Sequence, residues 1–193
     1  MELYIVRHGK TDWNAMEKLQ GREDIELNSS GREAAGRLGE KLEGVYFDTI
    51  YSSPLIRAYE TACLIRGHRN IPIIRDQRLT EISFGVKEGT IYSDWLQDDS
   101  SFNAFFHHPE NYNPPEKGES FQSVLKRTEE FLKDTIEAQF GKAERLMIVA
   151  HGALNAGLTS VIEGRPIEKY WGDGLLKNCE EKIYTFDGTN WKA

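Results

Sequence analysis

The sequence predicts an α/β fold: a three-layer αβα sandwich around a mostly parallel central sheet with an antiparallel edge strand. Short apolar runs without alternation, such as residues 3–6 and 146–150, are typical of strands buried on both faces of a sheet. Segments with a helical spacing of apolar residues follow these runs, and this order favours parallel strands joined by right-handed crossovers. A last apolar run, residues 183–186, fits an antiparallel strand at the edge.

Local signals place the individual elements. We predict strands over residues 3–6, 49–52, 71–74, 146–150 and 183–186. The longest helix is predicted over residues 121–136, where apolar side chains recur with helical periodicity. Asn28 or Ser29 is the expected N-cap of the first long helix. Ser53 is the expected N-cap of the next one, with Pro54 at its first position.

The chain is predicted to form one domain, residues 1–193, because this length buries a substantial core without disulfides. Residues 92–119 break the alternation of strands and helices, so we predict an insertion that forms a lid over one edge of the sheet. Its aromatic side chains are more typical of a small packed core than of a substrate cage, and a lid facing the substrate is compatible with both. These aromatic residues are Trp95, Phe102, Phe105, Phe106 and Tyr112.

Composition argues against several classes of function. The formal net charge of -7 and the pI of about 5.3 give no broad basic surface for nucleic acid, so an anionic ligand has to meet a local basic pocket. With no leader peptide and no apolar run of about 18 residues, a cytoplasmic protein without membrane contact is expected. Cys63 and Cys179 are isolated, and adjacent His107 and His108 rarely share one metal ion. We therefore expect no disulfide, no metal and no cofactor.

Polar residues follow the predicted strands at one edge of the sheet. Arg7 and His8 follow the first strand, Arg57 lies in the first turn of the helix after the second, and His151 follows the strand at 146–150. In open α/β sheets the ligand crevice lies beyond the carboxyl ends of the strands. We therefore expect two arginines and two histidines to converge on one crevice.

These residue types suit phosphoryl transfer. Guanidinium groups pair with phosphate oxygens in a fixed geometry and stay charged, and a nearby helix N-terminus adds backbone donors. A neutral imidazole attacks phosphorus and then carries the phosphoryl group, which divides one displacement into two easier steps. Gly9 is expected to leave room for close approach. Glu81, in the predicted loop at residues 76–89, is the expected proton donor for the leaving alcohol, with Glu88 as the reserve.

Six blocks of the sequence together resemble the histidine phosphatase superfamily, the phosphoglycerate-mutase-like proteins, in its small phosphatase branch. They occur in order and at compatible spacing over most of the chain, which makes them far more specific than one Arg-His-Gly triplet. The blocks are IVRHGKTDWN (residues 5–14), QGREDIELNSSG (20–31), SSPLIRAYETA (52–62), LTEISFGVKEG (79–89), GES (118–120) and VAHG (149–152).

The resemblance implies a role for each candidate residue. It makes His8 the phosphorylated nucleophile and Glu81 the general acid and then the general base. It also implies that Arg7, Arg57 and His151 form the phosphate pocket. Positions that line the same pocket in relatives are Asn14, Gln20 and Gly21. The implied activity is metal-independent hydrolysis of a small phosphorylated metabolite.

Two positions depart from the pattern of the relatives. Lys10 stands where many relatives have Glu, and Lys87 stands where many have Trp before Glu88 and Gly89. Lys10 adds positive charge beside the nucleophile in the sequence. We therefore expect Lys10 to bind the substrate and to favour a more anionic phosphomonoester.

Two other functions are compatible with the same residues. A phosphoglycerate mutase would return the phosphoryl group to a sugar-acid hydroxyl, but typical mutases of the superfamily are longer and carry an arginine pair in the insertion. Residues 92–119 contain no arginine. A binding module without turnover is disfavoured because all five catalytic positions hold competent residue types. The sequence leaves the physiological substrate and the oligomeric state open.

Overall fold

A six-stranded sheet with the strand order β3-β2-β4-β1-β5-β6 forms the centre of the fold in the computed structural model. The structure describes the backbone of residues 1–94 and 100–193 and the side chains of residues 1–94 and 103–193. The strands are β1 (Glu2–Arg7), β2 (Thr49–Ser52), β3 (Ile73–Arg75), β4 (Arg145–Ala150), β5 (Glu181–Phe186) and β6 (Trp191–Lys192). Neighbouring strands from β3 to β1 are parallel, whereas β5 pairs antiparallel with β1 and with β6. The mostly parallel sheet with an antiparallel edge is confirmed, and that edge is a β5–β6 pair.

Helices cover both faces of the sheet. They are α1 (Asp12–Ala15), α2 (Ser29–Lys41), α3 (Ile56–Arg66), α4 (Ser100–His107), α5 (Phe121–Phe131) and α6 (Gly152–Ile162). Helices α2 and α3 pack together on one face, and α5 and α6 pack together on the other. This arrangement confirms the predicted three-layer αβα sandwich. Among the described residues, no helix combines the length and apolar character needed to cross a bilayer.

Strand β1 shows why its sequence lacks alternation of apolar and polar residues. Leu3 and Ile5 belong to the core on the α5–α6 side, whereas Tyr4 and Val6 belong to the core on the α2–α3 side. All four side chains are buried. Because both faces of a parallel sheet are covered, both sets of side chains have to be apolar.

The start of α3 differs from the sequence prediction. The helix begins at Ile56, and Leu55 rather than Ser53 is its N-cap. The hydroxyl of Ser53 lies 2.8 Å from His151 Nε2, so it has a tertiary partner. By contrast, Asn28 caps α2 as predicted, since its side chain accepts the Gly31 amide proton.

One strand is also displaced from its predicted position. Strand β3 comprises Ile73–Arg75, which is shifted toward the C-terminus from the predicted residues 71–74. The long predicted helix over 121–136 is α5 followed by a π-helical turn at Leu132–Ile136, so the helical stretch itself is confirmed. The predicted loop at residues 76–89 contains two short 3₁₀ turns.

The segment predicted as an insertion contains helix α4, which the irregular sequence pattern did not indicate. Phe105 and Tyr112 are buried, with ring centroids 5.0 Å apart, and Phe105 stacks on Phe121 of α5 at 4.9 Å. These rings therefore pack on the α5–α6 layer. Trp95 and the Phe102 side chain lie outside the described residues.

Candidate active site

The candidate site lies at the carboxyl ends of β1 and β4. Arg7 pairs in register with Ala150, so His8 and His151 each follow a strand at the same level of the sheet. The His8 amide donates to Ala150 O at 2.9 Å, and the two imidazole centroids are 5.1 Å apart. Parallel pairing thus brings together two histidines that are far apart in the sequence.

A cavity of about 130 Å³ opens beside His8. Most of the predicted site residues line its wall: Arg7, His8, Asn14, Gln20, Gly21, Arg57 and Glu81. His151 is fully buried next to His8. The structure therefore gathers eight of the nine predicted residues in one place, and Lys10 is the exception.

The environment of His8 decides which ring nitrogen is reactive. Nδ1 lies 2.7 Å from Gly9 O, and because a carbonyl oxygen only accepts, Nδ1 carries the proton. Nε2 therefore keeps its lone pair. Burial, together with the charges of Arg57 and Arg7, lowers the pKa of His8 well below 6.5, so the ring is neutral at physiological pH.

His151 is also a neutral imidazole. Its Nε2 lies 2.8 Å from Ser53 Oγ, which already accepts the Leu55 amide proton at 3.3 Å. This favours donation of the Ser53 proton to Nε2 and leaves the His151 Nδ1–H as a donor. Burial, and then the charge of Arg57, lowers the pKa of His151 well below 6.5.

The two arginines, Arg57 buried and Arg7 half-buried, are cations that other groups hold in place. The Arg57 side chain donates to Glu23 O and Gly21 O, both at 2.7 Å, and Arg7 donates to Leu176 O at 2.7 Å. In the part of the chain that the structure describes, the Nε atoms of both arginines are buried without a hydrogen-bond partner. Burial lowers the pKa of Arg57 to about 10, so it stays charged at neutral pH. Such donors suit an anion with several acceptor oxygens.

Glu81 is fixed at the N-terminus of α6. Its Oε1 accepts the Leu154 and Ile82 amide protons, each at 2.9 Å, and its Oε2 accepts the Ala153 amide proton at 3.1 Å. Because Ala153 and His8 line the same cavity, these bonds hold the carboxylate at the wall of that cavity. A carboxylate oxygen has more than one acceptor position, so Oε2 is able to interact with a reacting group as well.

Glu88, the reserve acid, has a structural role in this arrangement. Its Oε1 accepts the Arg22 amide proton at 3.0 Å and the Phe84 amide proton at 2.9 Å, which connects two loops. Gly21 has a φ of +50°, and a side chain there would come within 2.1 Å of Glu88 Oε1. Glu88 is not part of the cavity wall.

The comparisons with known proteins agree with this geometry. A sequence model of the histidine phosphatase superfamily (branch 1) matches residues 3–193. The chain belongs to this superfamily. It is therefore a phosphatase, in line with the two arginines and the neutral His8 described above.

Three similar proteins illustrate the breadth of the histidine phosphatases. Phosphoglycerate mutase-like protein 4 of Arabidopsis thaliana is 31% identical over 98% of this chain and 82% of its own length. The adenosylcobalamin/alpha-ribazole phosphatase of Escherichia coli is 30% identical over 95% of this chain and 89% of its own length. The solved structure of Bacillus stearothermophilus YhfR has a TM-score of 0.91 and 35% identity, covering 99% of this chain and 94% of that chain.

In this histidine phosphatase, Gly9 and Lys10 do not have the surroundings that we predicted. A side chain at Gly9 would lie 2.7 Å from Gly31 O, so the glycine allows close approach of the α2 backbone rather than of the substrate. Lys10 is exposed and is not part of the cavity wall, and its carbonyl oxygen accepts the Asn28 amide proton at 2.9 Å. Directly after His8 the backbone packs against the start of α2, and Lys10 lies outside the cavity wall.

Sequence reasoning missed a different cation, Lys18. Lys18 is half-buried and lines the cavity. Its place between Asn14 and Gln20, which were both assigned to the pocket, was the available signal. Trp171 and Leu175 also line the cavity, but no motif near them indicated it.

Glu119, in the GES block, helps to fasten the loop that carries Glu81. Arg127 donates to the carbonyl oxygens of Arg78 and Thr80, both at 2.6 Å, and pairs with Glu119 at 2.9 Å. Arg22 pairs with the same carboxylate at 3.1 Å. The GES block was identified from the sequence, but the partners of Glu119, Arg22 and Arg127, lie in other segments of the chain and were not predicted.

We expect the free energy of unfolding to fall as the pH falls below about 6.5, because His8 and His151 stay neutral in the folded protein and become protonated in the unfolded chain. The pKa values of both histidines are lowered in the folded protein. The stability that the neutral histidines contribute is therefore complete above the pKa of histidine in the unfolded chain, and it is lost as the pH falls toward their pKa values in the folded protein. In His151→Asn the slope should be shallower by up to about 1.4 kcal/mol per pH unit. Urea unfolding between about pH 7.5 and pH 5 measures it. Parallel curves for the two proteins would contradict a neutral, buried His151.

Proposed function

We propose that this phosphatase hydrolyses a small phosphomonoester through a phosphohistidine formed on His8. The observation that carries the proposal is the neutral, buried imidazole of His8, which has its Nε2 lone pair free beside Arg7 and Arg57. An uncharged imidazole is nucleophilic, and neighbouring guanidinium groups stabilise the charge on the phosphoryl oxygens.

In the first step, His8 Nε2 attacks phosphorus in line with the leaving alcohol. The N–P bond forms, the P–O bond to the alcohol breaks, and Glu81 protonates the departing oxygen. Arg7, Arg57 and His151 donate to the phosphoryl oxygens throughout. Positioning and fixed charge supply most of the acceleration in such a step.

Asn14 and Gln20 are proposed to add donors to the same phosphoryl group. Thr11 lies between them: its hydroxyl is 3.1 Å from Asn14 Oδ1 and 3.0 Å from Gln20 Oε1, and its amide donates to Asn14 Oδ1 at 3.1 Å. These contacts fix the amide oxygens toward Thr11. The NH₂ groups then face away from Thr11 and serve as donors to the substrate.

In the second step, Glu81 takes a proton from water, and the resulting hydroxide attacks the phosphohistidine. The N–P bond breaks, inorganic phosphate leaves, and the lone pair returns to His8 Nε2. The amide protons from α6 hold the Glu81 carboxylate in the same place for both steps. One residue is thus able to act first as general acid and then as general base.

A phosphoglycerate mutase is the second candidate, because a relative is named mutase-like. In that reaction the phosphoryl group would pass from His8 to the other hydroxyl of the sugar acid instead of to water. The lack of arginine in residues 92–119 favours hydrolysis.

We expect the wild-type protein to release inorganic phosphate from small phosphomonoesters in the presence of EDTA, and His8→Ala to lower kcat/KM by at least about a thousandfold because the nucleophile is lost. His68→Ala is the control, since His68 is exposed and lies outside the cavity. The panel includes 3-phosphoglycerate, with the product identified by phosphorus NMR. Release that persists in His8→Ala would contradict the mechanism, and 2-phosphoglycerate as the product would favour the mutase.

Glu81→Gln should lower kcat/KM by about a hundredfold to ten-thousandfold for alkyl phosphates, because the alkoxide needs a proton to leave. The loss should be much smaller for 4-nitrophenyl phosphate, since nitrophenolate leaves without a proton. The value of kcat/KM reports only the steps up to and including the first irreversible one, which is here the release of nitrophenolate. Steady-state kinetics on the two esters measures the difference. Equal losses on both esters would exclude Glu81 as the general acid.

A further inference from the structure

The peptide group between His8 and Gly9 is held at both of its ends by side chains. Its carbonyl oxygen, His8 O, accepts a proton from Asn178 Nδ2 at 2.9 Å, and its amide, Gly9 N, donates to Thr61 Oγ1 at 2.9 Å. Thr61 is fully buried and Asn178 is half-buried. Two side chains from distant parts of the chain therefore fix the plane of one peptide beside the imidazole of His8.

The hydroxyl of Thr61 has a defined direction. It donates to Arg57 O at 2.6 Å, one turn earlier in α3. Because a hydroxyl has one proton, this bond leaves the oxygen as the acceptor for the Gly9 amide. An apolar side chain of the same shape would leave the buried Gly9 N–H without this acceptor. The helix that carries Arg57 thus also fixes the peptide after His8.

The position of Asn178 follows from the antiparallel pairing of β5 with β1. Just before β5, Arg7 N donates to Glu180 O at 3.2 Å, and Cys179 N donates to Arg7 O at 2.9 Å. These two bonds continue the pairing and place Asn178 next to His8. Because His8 O is able only to accept, the part of the Asn178 amide that faces it is the NH₂ group.

The fixed peptide determines which nitrogen of His8 carries the proton. In a neutral histidine the tautomer is set by the hydrogen bond that one of the ring nitrogens makes. Here the acceptor is Gly9 O, 2.7 Å from Nδ1, and its position depends on the direction of the peptide before it. A peptide that precedes a glycine rotates at low cost, because glycine tolerates both signs of φ. The two side-chain bonds oppose this rotation, since rotation would break both.

We propose that Thr61 and Asn178 are positioning residues that hold His8 in the tautomer with the proton on Nδ1 and the lone pair on Nε2. This inference rests on the proposed role of His8 as the nucleophile. Neither side chain is part of the cavity wall, so both act through the His8–Gly9 peptide. Loss of either one should weaken the attack on phosphorus. It should not weaken the binding of the phosphoryl group, which depends on the two arginines.

Thr61→Val and Thr61→Ser test the hydroxyl. Valine keeps the shape of threonine without the hydroxyl, and we expect it to lower kcat/KM for 4-nitrophenyl phosphate by about tenfold to a hundredfold, as for a misplaced reacting group. The inhibition constant of inorganic phosphate should change by less than about twofold, because ground-state binding is retained. Thr61→Ser keeps the hydroxyl and should restore most of the wild-type kcat/KM.

Thr128→Val is the matched control. Thr128 is a fully buried threonine of α5 outside the cavity wall, and its hydroxyl donates to Val124 O, one turn earlier, at 2.9 Å. The variant loses the same kind of buried hydroxyl as Thr61→Val, but no bond to the peptide after His8. Its kinetic constants should equal those of the wild type. A loss of activity equal to that of Thr61→Val would overturn the proposal, since it would show a general effect of destabilisation.

Proton–nitrogen correlation NMR reports the tautomer directly. The chain has five histidines, and the ring signals of His8 are identified by their absence in His8→Gln. We expect the proton on Nδ1 in the wild type and in Thr61→Ser, and a measurable fraction on Nε2 in Thr61→Val. Asn178→Leu, which removes the other donor outside a helix or strand, should show the same change. A proton that stays on Nδ1 in both Thr61→Val and Asn178→Leu would overturn the proposal.

The NMR measurement requires no turnover, so it separates this inference from the proposed function. A changed tautomer in variants that keep the wild-type kcat/KM would support the positioning of the ring and contradict His8 as the nucleophile. An unchanged tautomer in an enzyme whose turnover depends on His8 would support the phosphohistidine mechanism and overturn the role of Thr61 and Asn178.

Discussion

The parallel pairing of β1 with β4 is the constraint on which the site depends. In this register Arg7, the last residue of β1, lies opposite Ala150, the last residue of β4. His8 and His151, which directly follow the two strands, are therefore side by side at the same end of the sheet. A shift of one residue would move every side chain of the strand into the core on the opposite face, where it would not match the side chains packed there. The core on both faces of the sheet therefore fixes the distance between the two imidazoles.

The two guanidinium charges of the site are held by groups that do not neutralise them. The Arg57 side chain donates to two carbonyl oxygens and Arg7 to one, and carbonyl groups carry no net charge. The Glu81 carboxylate is bound by backbone amides rather than by an arginine. Removing the two guanidinium charges from water costs free energy unless a ligand compensates for them, and a phosphoryl group is a ligand of the opposite sign. The same electrostatic environment keeps His8 neutral, which preserves its lone pair for attack.

Much of the fold, and most of the site, follows from local signals in the sequence. The apolar runs at residues 3–6 and 146–150, and the polar residues directly after them, were sufficient to place two histidines at one edge of the sheet. The predictions that were wrong depended on distant contacts. The Ser53 hydroxyl contacts His151 as well as the Leu55 amide, and the helix begins only at Ile56. The Lys10 backbone packs against Gly31 of α2, outside the cavity wall. Lys18 reaches the cavity although it is farther from His8 in the sequence. The single-domain organisation, the cytoplasmic location and the lack of a cofactor stay predictions.

Direct detection of a phosphoryl group on His8 tests the central claim most directly. Glu81→Gln is the suitable protein, because nitrophenolate leaves 4-nitrophenyl phosphate without a proton, whereas hydrolysis of the phosphohistidine needs a base. After mixing and quenching in alkali, in which phosphohistidine is stable, mass spectrometry of the peptide that contains His8 locates the modification. The mechanism predicts one phosphoryl group on His8, together with a burst of nitrophenolate equal to the amount of protein. An unmodified His8 peptide during continuing release of nitrophenolate, or a phosphoryl group on another residue, would contradict it.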